Sequence, residues 1–176
     1  MRNDLKQFFR LLHLASQPNA QAMSIRLDND TAEAALSAPR GPADYLADII
    51  KRTLKKLGIE TEMAFNLEFT HGASKENHSL HIHGVFCIPD EHLLDVTEAL
   101  RTALALDYRA RWNNVAVLLE PPQNACRWAS YCLKEFDVTT MMLADQTGER
   151  RSPGYSTRLL TQRANAFYED IGAWFN

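Results

Sequence analysis

Apolar residues recur at helical spacing in the first segment, where Leu5, Phe8, Phe9 and Leu12 share one side of Asp4–Ala15 and Asn3 or Asp4 offers an N-cap. A second amphipathic run, Leu46, Ile49, Ile50, Leu54 and Leu57, predicts a helix that Gly58 stops. Between the two, Ala22–Leu27 reads as a first strand, and residues 28–42, polar with alanine and proline, read as a connection. The period then changes to two. Phe65, Leu67 and Phe69 alternate with Asn66, Glu68 and Thr70, and after the polar stretch Gly72–Asn77 a second alternating run covers Ser79–Phe86. Together these runs predict a β-hairpin. Pro89-Asp90-Glu91 opens a helix carrying Leu93, Leu94, Ala99, Leu100 and Leu104. Val115–Leu119 reads as an apolar strand closed by Pro121-Pro122, followed by a helix over about Asn124–Phe136 and a strand at Val138–Leu143. A turn at Asp145–Gly148 precedes a last helix, about 156–173, with Leu159, Leu160, Phe167 and Ile171.

The clearest strand pair is joined by a loop too short for a crossover helix, and helices surround it. That combination predicts an α+β fold around a central antiparallel sheet. With 176 residues, no internal repeat and no dividing linker, the chain reads as one domain, 1–176, whose motif-bearing core spans about 22–143.

Composition narrows the class. Apolar residues at 45% and charged residues at 23% are those of a globular chain that buries one core, not of a disordered or fibrous one. No run approaches the ~18 apolar residues of a membrane span, so no membrane partner is expected. Lys6 and Arg10 interrupt the N-terminal segment, which lacks the pattern of a signal peptide. Cys87, Cys126 and Cys132 match neither a zinc ribbon nor a C-x-x-C pair and read as free thiols. The expectation is a soluble cytoplasmic protein.

The balance of 19 Lys+Arg against 22 Asp+Glu, net −3, argues against a protein that coats nucleic acid through a general basic field. Basic residues do gather locally: 101–163 holds nine Lys+Arg and six Asp+Glu, and Arg150, Arg151, Arg158 and Arg163 follow one another with no acid between Arg150 and Arg163. A short basic path is therefore available in the C-terminal half.

The chemistry centres on the hairpin. Side chains alternate faces along a strand, so His81 and His83 point one way while Leu80, Ile82 and Phe86 point the other. Pairing the hairpin about a midpoint between Ser74 and Lys75 sets Glu68 opposite His81 on the same face. Two imidazoles and a carboxylate, with positions left open, suit a divalent metal used as a Lewis acid rather than a closed structural zinc. His71 and His78 flank the turn as substitute ligands.

The second centre lies on the helix near Asn124–Phe136. Ala125, Ala129, Cys132, Leu133 and Phe136 form its apolar stripe, and Tyr131 falls roughly 140° from the centre of that stripe. Arg127 and Lys134 stand one turn before and after Tyr131, so a phenol is presented between two cations. A phenol of pKa about 10 is only about one part in a thousand ionised at neutral pH and needs such help to act as a nucleophile.

His81-Ile82-His83-Gly84-Val85-Phe86 and Tyr131-Cys132-Leu133-Lys134 resemble the metal motif and the Y-x-x-K nucleophile motif of the HUH endonucleases, and within them of rolling-circle replication initiators. Glu68 matches the third, polar ligand of that family. The resemblance spans roughly 63–136. It implies a Mg²⁺- or Mn²⁺-dependent nickase that forms a 5′-phosphotyrosine on single-stranded or hairpin DNA, at the origin or end of a plasmid, phage or mobile element, and leaves a 3′-OH primer. It also implies an antiparallel sheet of about five strands, with Tyr131 and Lys134 catalytic and His81, His83 and Glu68 on the metal.

Position 127 is Arg, so the resemblance is to single-tyrosine enzymes. The family's first motif has only a faint counterpart in Ser24–Asn29, and no G-x-x-x-x-G-K-S/T follows, so unwinding would come from a separate helicase. A homodimer would bring a second Tyr131 for the closing step. Arg127, Trp128, Arg150, Arg151 and Arg158 are the expected DNA contacts, with Trp128 and Trp112 available to stack on unpaired bases. Three other readings stay open: a transposase-like or mobilising nuclease, a non-catalytic DNA-binding regulator on the same fold, and an unrelated metal-dependent hydrolase with a water nucleophile.

Overall fold

The computed structural model describes residues 3–69, 77–109 and 115–174, with side chains through 166. His71, Trp112 and most of the hairpin turn lie outside the described residues. The elements run α1 (Asn3–Ala15), β1 (Ala20–Arg26), α2 (Asn29–Leu36), α3 (Pro42–Lys56), β2 (Met63–Phe69), β3 (Leu80–Cys87), α4 (Leu93–Leu104), β4 (Val117–Glu120), α5 (Ala125–Tyr131), α6 (Phe136–Thr147), β5 (Gly154–Ser156) and α7 (Arg158–Trp174). The five strands form one antiparallel sheet in the order β4-β1-β3-β2-β5, flanked by helices. This is the α+β architecture that the alternation predicts.

The hairpin register is the predicted one, with Glu68 opposite His81 and Asn66 opposite His83. Both central strands are buried on both faces because helices cover each side. Met23, Ile25, Phe65, Leu67, Ile82 and Phe86 pack with α2, α3 and α4 into the larger core. On the other face Ala20, Ala64 and Val85 meet Leu11 and Leu14 of α1, Ala129 of α5 and Leu160 of α7. Strand residues on this second face are short or polar: Ala22 and Ser24 on β1, Ala64, Asn66 and Glu68 on β2, His81 and His83 on β3. Small side chains leave room there for functional groups.

Three readings of the sequence need correction. Residues 28–42 are not merely a connection, since they contain α2, whose first turn is capped by the Asp28 carboxylate accepting from the Thr31 amide at 2.8 Å. Val138–Leu143 is not a strand. It lies within α6, where Thr139 and Leu143, one turn apart, are buried and Val138 and Met141 are exposed. The turn expected at Asp145–Gly148 is instead the last turn of that helix, closed by Gly148 at φ +74°. Strand β5, only three residues long, is too short to show a period of its own. Among the described residues no helix is long and apolar enough to cross a membrane.

Gly84, between His83 and Val85, is dictated by close packing. A Cβ placed on it would lie 2.4 Å from Phe65 Cβ and 2.5 Å from the Ala64 carbonyl oxygen, which belongs to backbone and cannot yield. Gly84→Ala is expected to destabilise the fold by about 2 kcal/mol or more, lowering the thermal midpoint by roughly 5 °C. A melting curve of the variant checks this.

Candidate functional site

Glu68, His81 and His83 converge on the second face of the sheet, each 7% exposed. Glu68 Oε2 lies 3.8 Å from His81 Nε2 and 3.6 Å from His83 Nε2. The hydrogen bonds behind the rings set their tautomers. His81 Nδ1 is 3.1 Å from the Ser79 carbonyl, which can only accept, so the proton is on Nδ1 and the Nε2 lone pair faces Glu68. Ser24 Oγ, 3.0 Å from His83 Nδ1, can accept in the same sense and hold the second ring alike.

Burial keeps both rings neutral. It is the largest cause pushing His83 down to about 3, with the charges of His81, Lys134 and Arg26 adding to it, and it also lowers His81. With Ser24 accepting from His83 Nδ1, two lone pairs and a carboxylate oxygen point at one another within 4.8 Å, a repulsive arrangement that a cation resolves. Two donors each about 2.1 Å from a shared ion are at most about 4.2 Å apart, and both His–Glu68 distances fall within that limit. The buried Glu-His-His group could bind a metal ion.

The depressed imidazoles carry a pH consequence. An unfolded histidine titrates near 6.5. As pH falls below that value the unfolded chain takes up protons that the folded chain refuses, so stability present above about 6.5 is lost progressively toward about 3. Metal-free protein melted from pH 7.5 to 4.5 is expected to lose thermal stability steadily, and His83→Gln to show a shallower loss.

The tyrosine comes from α5, which packs on this same face of the sheet. The helix predicted to run to Phe136 instead ends at Tyr131, and residues 132–135 form tight turns in which the Lys134 amide donates to the Tyr131 carbonyl at 3.2 Å. This i→i+3 geometry eclipses side chains three apart. Lys134 Nζ consequently sits 3.9 Å from the centroid of the Tyr131 ring. The cause of the break is Asn66, whose Nδ2 donates to the Cys132 carbonyl at 2.9 Å and takes up an acceptor the helix would otherwise have used. Asn66 shares its strand and face with Glu68, so the helix end is tied directly to the strand that carries Glu68.

Tyr131 is 42% exposed, with its ring 5.0 Å from His83 and stacked at 5.4 Å and 18° on Trp128. Trp128 in turn donates from Nε1 to the Gly84 carbonyl at 2.9 Å and meets His83 edge-on. Lys134 Nζ also pairs with Glu68 Oε1 at 3.0 Å. Burial pulls its ammonium down, but hydrogen bonding to Tyr131 and Glu68 outweighs that and raises its pKa. Lys134 is thus a persistent cation shared by the carboxylate and the phenol. Burial pushes the neighbouring Cys132 thiol up, which makes it a poor nucleophile despite its position.

The structure brings together Glu68, His81, His83, Tyr131, Lys134 and Trp128. Trp128 is occupied in holding Tyr131 and His83. Arg127 is exposed on α5 and Arg158 on α7. Arg151 is tied to Glu149 and to the Ala38 carbonyl, and with Arg150 it borders a groove that also contains Asp4 and Asp137. None of these four arginines contacts the triad or Tyr131 among the described contacts. His78 is spent locally, its Nδ1 accepting from the Leu80 amide at 2.9 Å. Sequence reasoning missed Asn66 and Arg26. Asn66 carried a signal, since it lies two residues before Glu68 on the same face.

Compared with protein-family models and with curated proteins, the chain matches none of them.

Proposed function

We propose that this chain is a metal-dependent endonuclease of single-stranded DNA that nicks and rejoins through Tyr131, as in the single-tyrosine HUH replication initiators it resembles. The observation that carries this reading is the meeting of the two motifs. Tyr131 stands against His83, and Lys134 joins it to Glu68.

Glu68, His81 and His83 would hold Mg²⁺ or Mn²⁺, and the two imidazole donors favour Mn²⁺ over the oxygen-preferring Mg²⁺. Such an ion, when bound, supplies Lewis-acid polarisation of the phosphodiester. The protein's own groups do the rest. Trp128 fixes the plane of the Tyr131 ring, and its exposure lets a polymer reach the hydroxyl. Lys134 favours negative charge on the phenol oxygen. That oxygen forms a bond to phosphorus, losing its proton to solvent, while the bond from phosphorus to the 3′ oxygen breaks and the departing oxygen is protonated. The products are a 5′-phosphotyrosine and a free 3′-OH, and the reverse attack by a 3′-OH reseals the strand. Action at the origin or end of a mobile element follows from the same resemblance.

The test is incubation of the protein with end-labelled, mixed-sequence single-stranded DNA and Mn²⁺. A 3′ label is expected to remain on the protein through denaturing electrophoresis, with the modified peptide containing Tyr131. Cleavage without any adduct would overturn the tyrosine mechanism in favour of a water nucleophile, and binding without cleavage would favour a regulator.

A further inference from the structure

Two rows of side chains cross the site face of the sheet. One runs Arg26, His81, Glu68 on the neighbouring strands β1, β3 and β2, and the other runs Leu118, Ser24, His83, Asn66 from β4 to β2. Lys134 closes the first row at its β2 end, 3.0 Å from Glu68. Arg26 closes it at the β1 end. With strands about 4.8 Å apart, these ends are separated by about 10 Å of sheet.

Arg26 is half-buried, and among the described residues its side chain has no ion-pair or hydrogen-bond partner. A guanidinium next to two imidazoles that face a carboxylate repels any cation held there. It helps only if an anion lies between or beside them, and a guanidinium fork matches a phosphate. The neighbouring surface is open: Leu118, on the same face at the β4 edge, is 44% exposed, and the helix against β4 is α4, on the opposite face. The groove by Arg150 and Arg151 is a poorer path, since Asp4 and Asp137 line it and Arg151 is already paired with Glu149.

The geometry points to Arg26 as a phosphate-binding residue, and to the open face of β1 and β4 as far as Leu118 as the track by which single-stranded DNA leaves the triad. This rests on the nickase reading above. It places the strand across the sheet, away from the arginines of the C-terminal third.

The probe is a fluorescein-labelled, mixed-sequence single strand, its affinity followed by anisotropy over a salt series with Mn²⁺ in the Tyr131→Phe background. Arg26→Ala is expected to weaken binding roughly tenfold and to reduce the slope of log affinity against log salt by about 0.7, the loss of one phosphate contact. Mn²⁺ affinity, titrated separately, stays unchanged or tightens, and Arg26→Lys retains the slope. Leu118→Arg, at a position 44% exposed, is expected to tighten binding and add about 0.7 to the slope. Slopes unmoved in Arg26→Ala and Leu118→Arg overturn the track whatever the adduct assay shows. Slopes that move as stated in a protein whose wild type forms no adduct uphold the track and overturn the nickase. A wild type that does not bind the strand overturns both.

Discussion

Replacing Tyr131 with phenylalanine is expected to abolish the covalent protein–DNA adduct while leaving fold and Mn²⁺ binding as they are. The substitution removes one oxygen and with it the hydrogen bond to Lys134, which keeps its ion pair with Glu68. The ring keeps its stack on Trp128, its edge contact with His83 and the ammonium of Lys134 above it. At 42% exposure the lost hydroxyl leaves no cavity in the core. If the phenol oxygen is the nucleophile, single-turnover strand cleavage should fall on the order of a thousandfold or more. The measurement is adduct accumulation on a denaturing gel beside a Mn²⁺ titration. Undiminished cleavage in the variant would assign the nucleophile to water.

Glu68→Gln is expected to remove the response to metal. In the wild-type protein, Mn²⁺ at a hundred times its dissociation constant should add about 2.7 kcal/mol of stability, which for a chain of this size is roughly 5–10 °C in thermal midpoint. Glu68 serves this site with both oxygens, Oε2 toward the two imidazoles and Oε1 toward Lys134. Glutamine keeps the volume and can donate its amide to an imidazole lone pair, so the metal-free variant should melt close to wild type. Without the carboxylate the Mn²⁺-dependent shift should disappear, and adduct formation should drop at least a hundredfold. A shift that persists in Glu68→Gln would show that the ion binds elsewhere.

The parts of the site that sequence made legible are those held by local geometry. A period of two along one hairpin is enough to put Glu68, His81 and His83 on one face, and the predicted register is the observed one. Helical spacing likewise turned Tyr131 away from the core. What stayed hidden depends on partners distant in the chain. Cys132, Leu133 and Phe136 continue a helical apolar pattern, so the break after Tyr131 is invisible until Asn66 is seen to take the Cys132 carbonyl. Arg26 meets His81 only because β1 lies beside β3, a pairing that no short window contains. Val138–Leu143 shows the opposite failure, where an apolar run too short to distinguish its period is decided by the packing of Thr139 and Leu143. The arginines near the C-terminus stand out in the sequence only by local charge, which carries no information about the direction a side chain faces.

The hydrogen bond from Asn66 to the end of α5 and the one from Trp128 to Gly84 have a mechanical consequence. They anchor the tyrosine-bearing helix to the two strands that carry Glu68, His81 and His83, so Tyr131 and the triad form one stiff unit. In the nickase reading, the compliance needed for docking would then come from the nucleic acid. A duplex, with a persistence length of about 50 nm, resists sharp bending over a site a few side chains wide, whereas an unpaired strand bends at every nucleotide. Preference for unpaired DNA would thus arise from the relative stiffness of the two bodies, before any base is read.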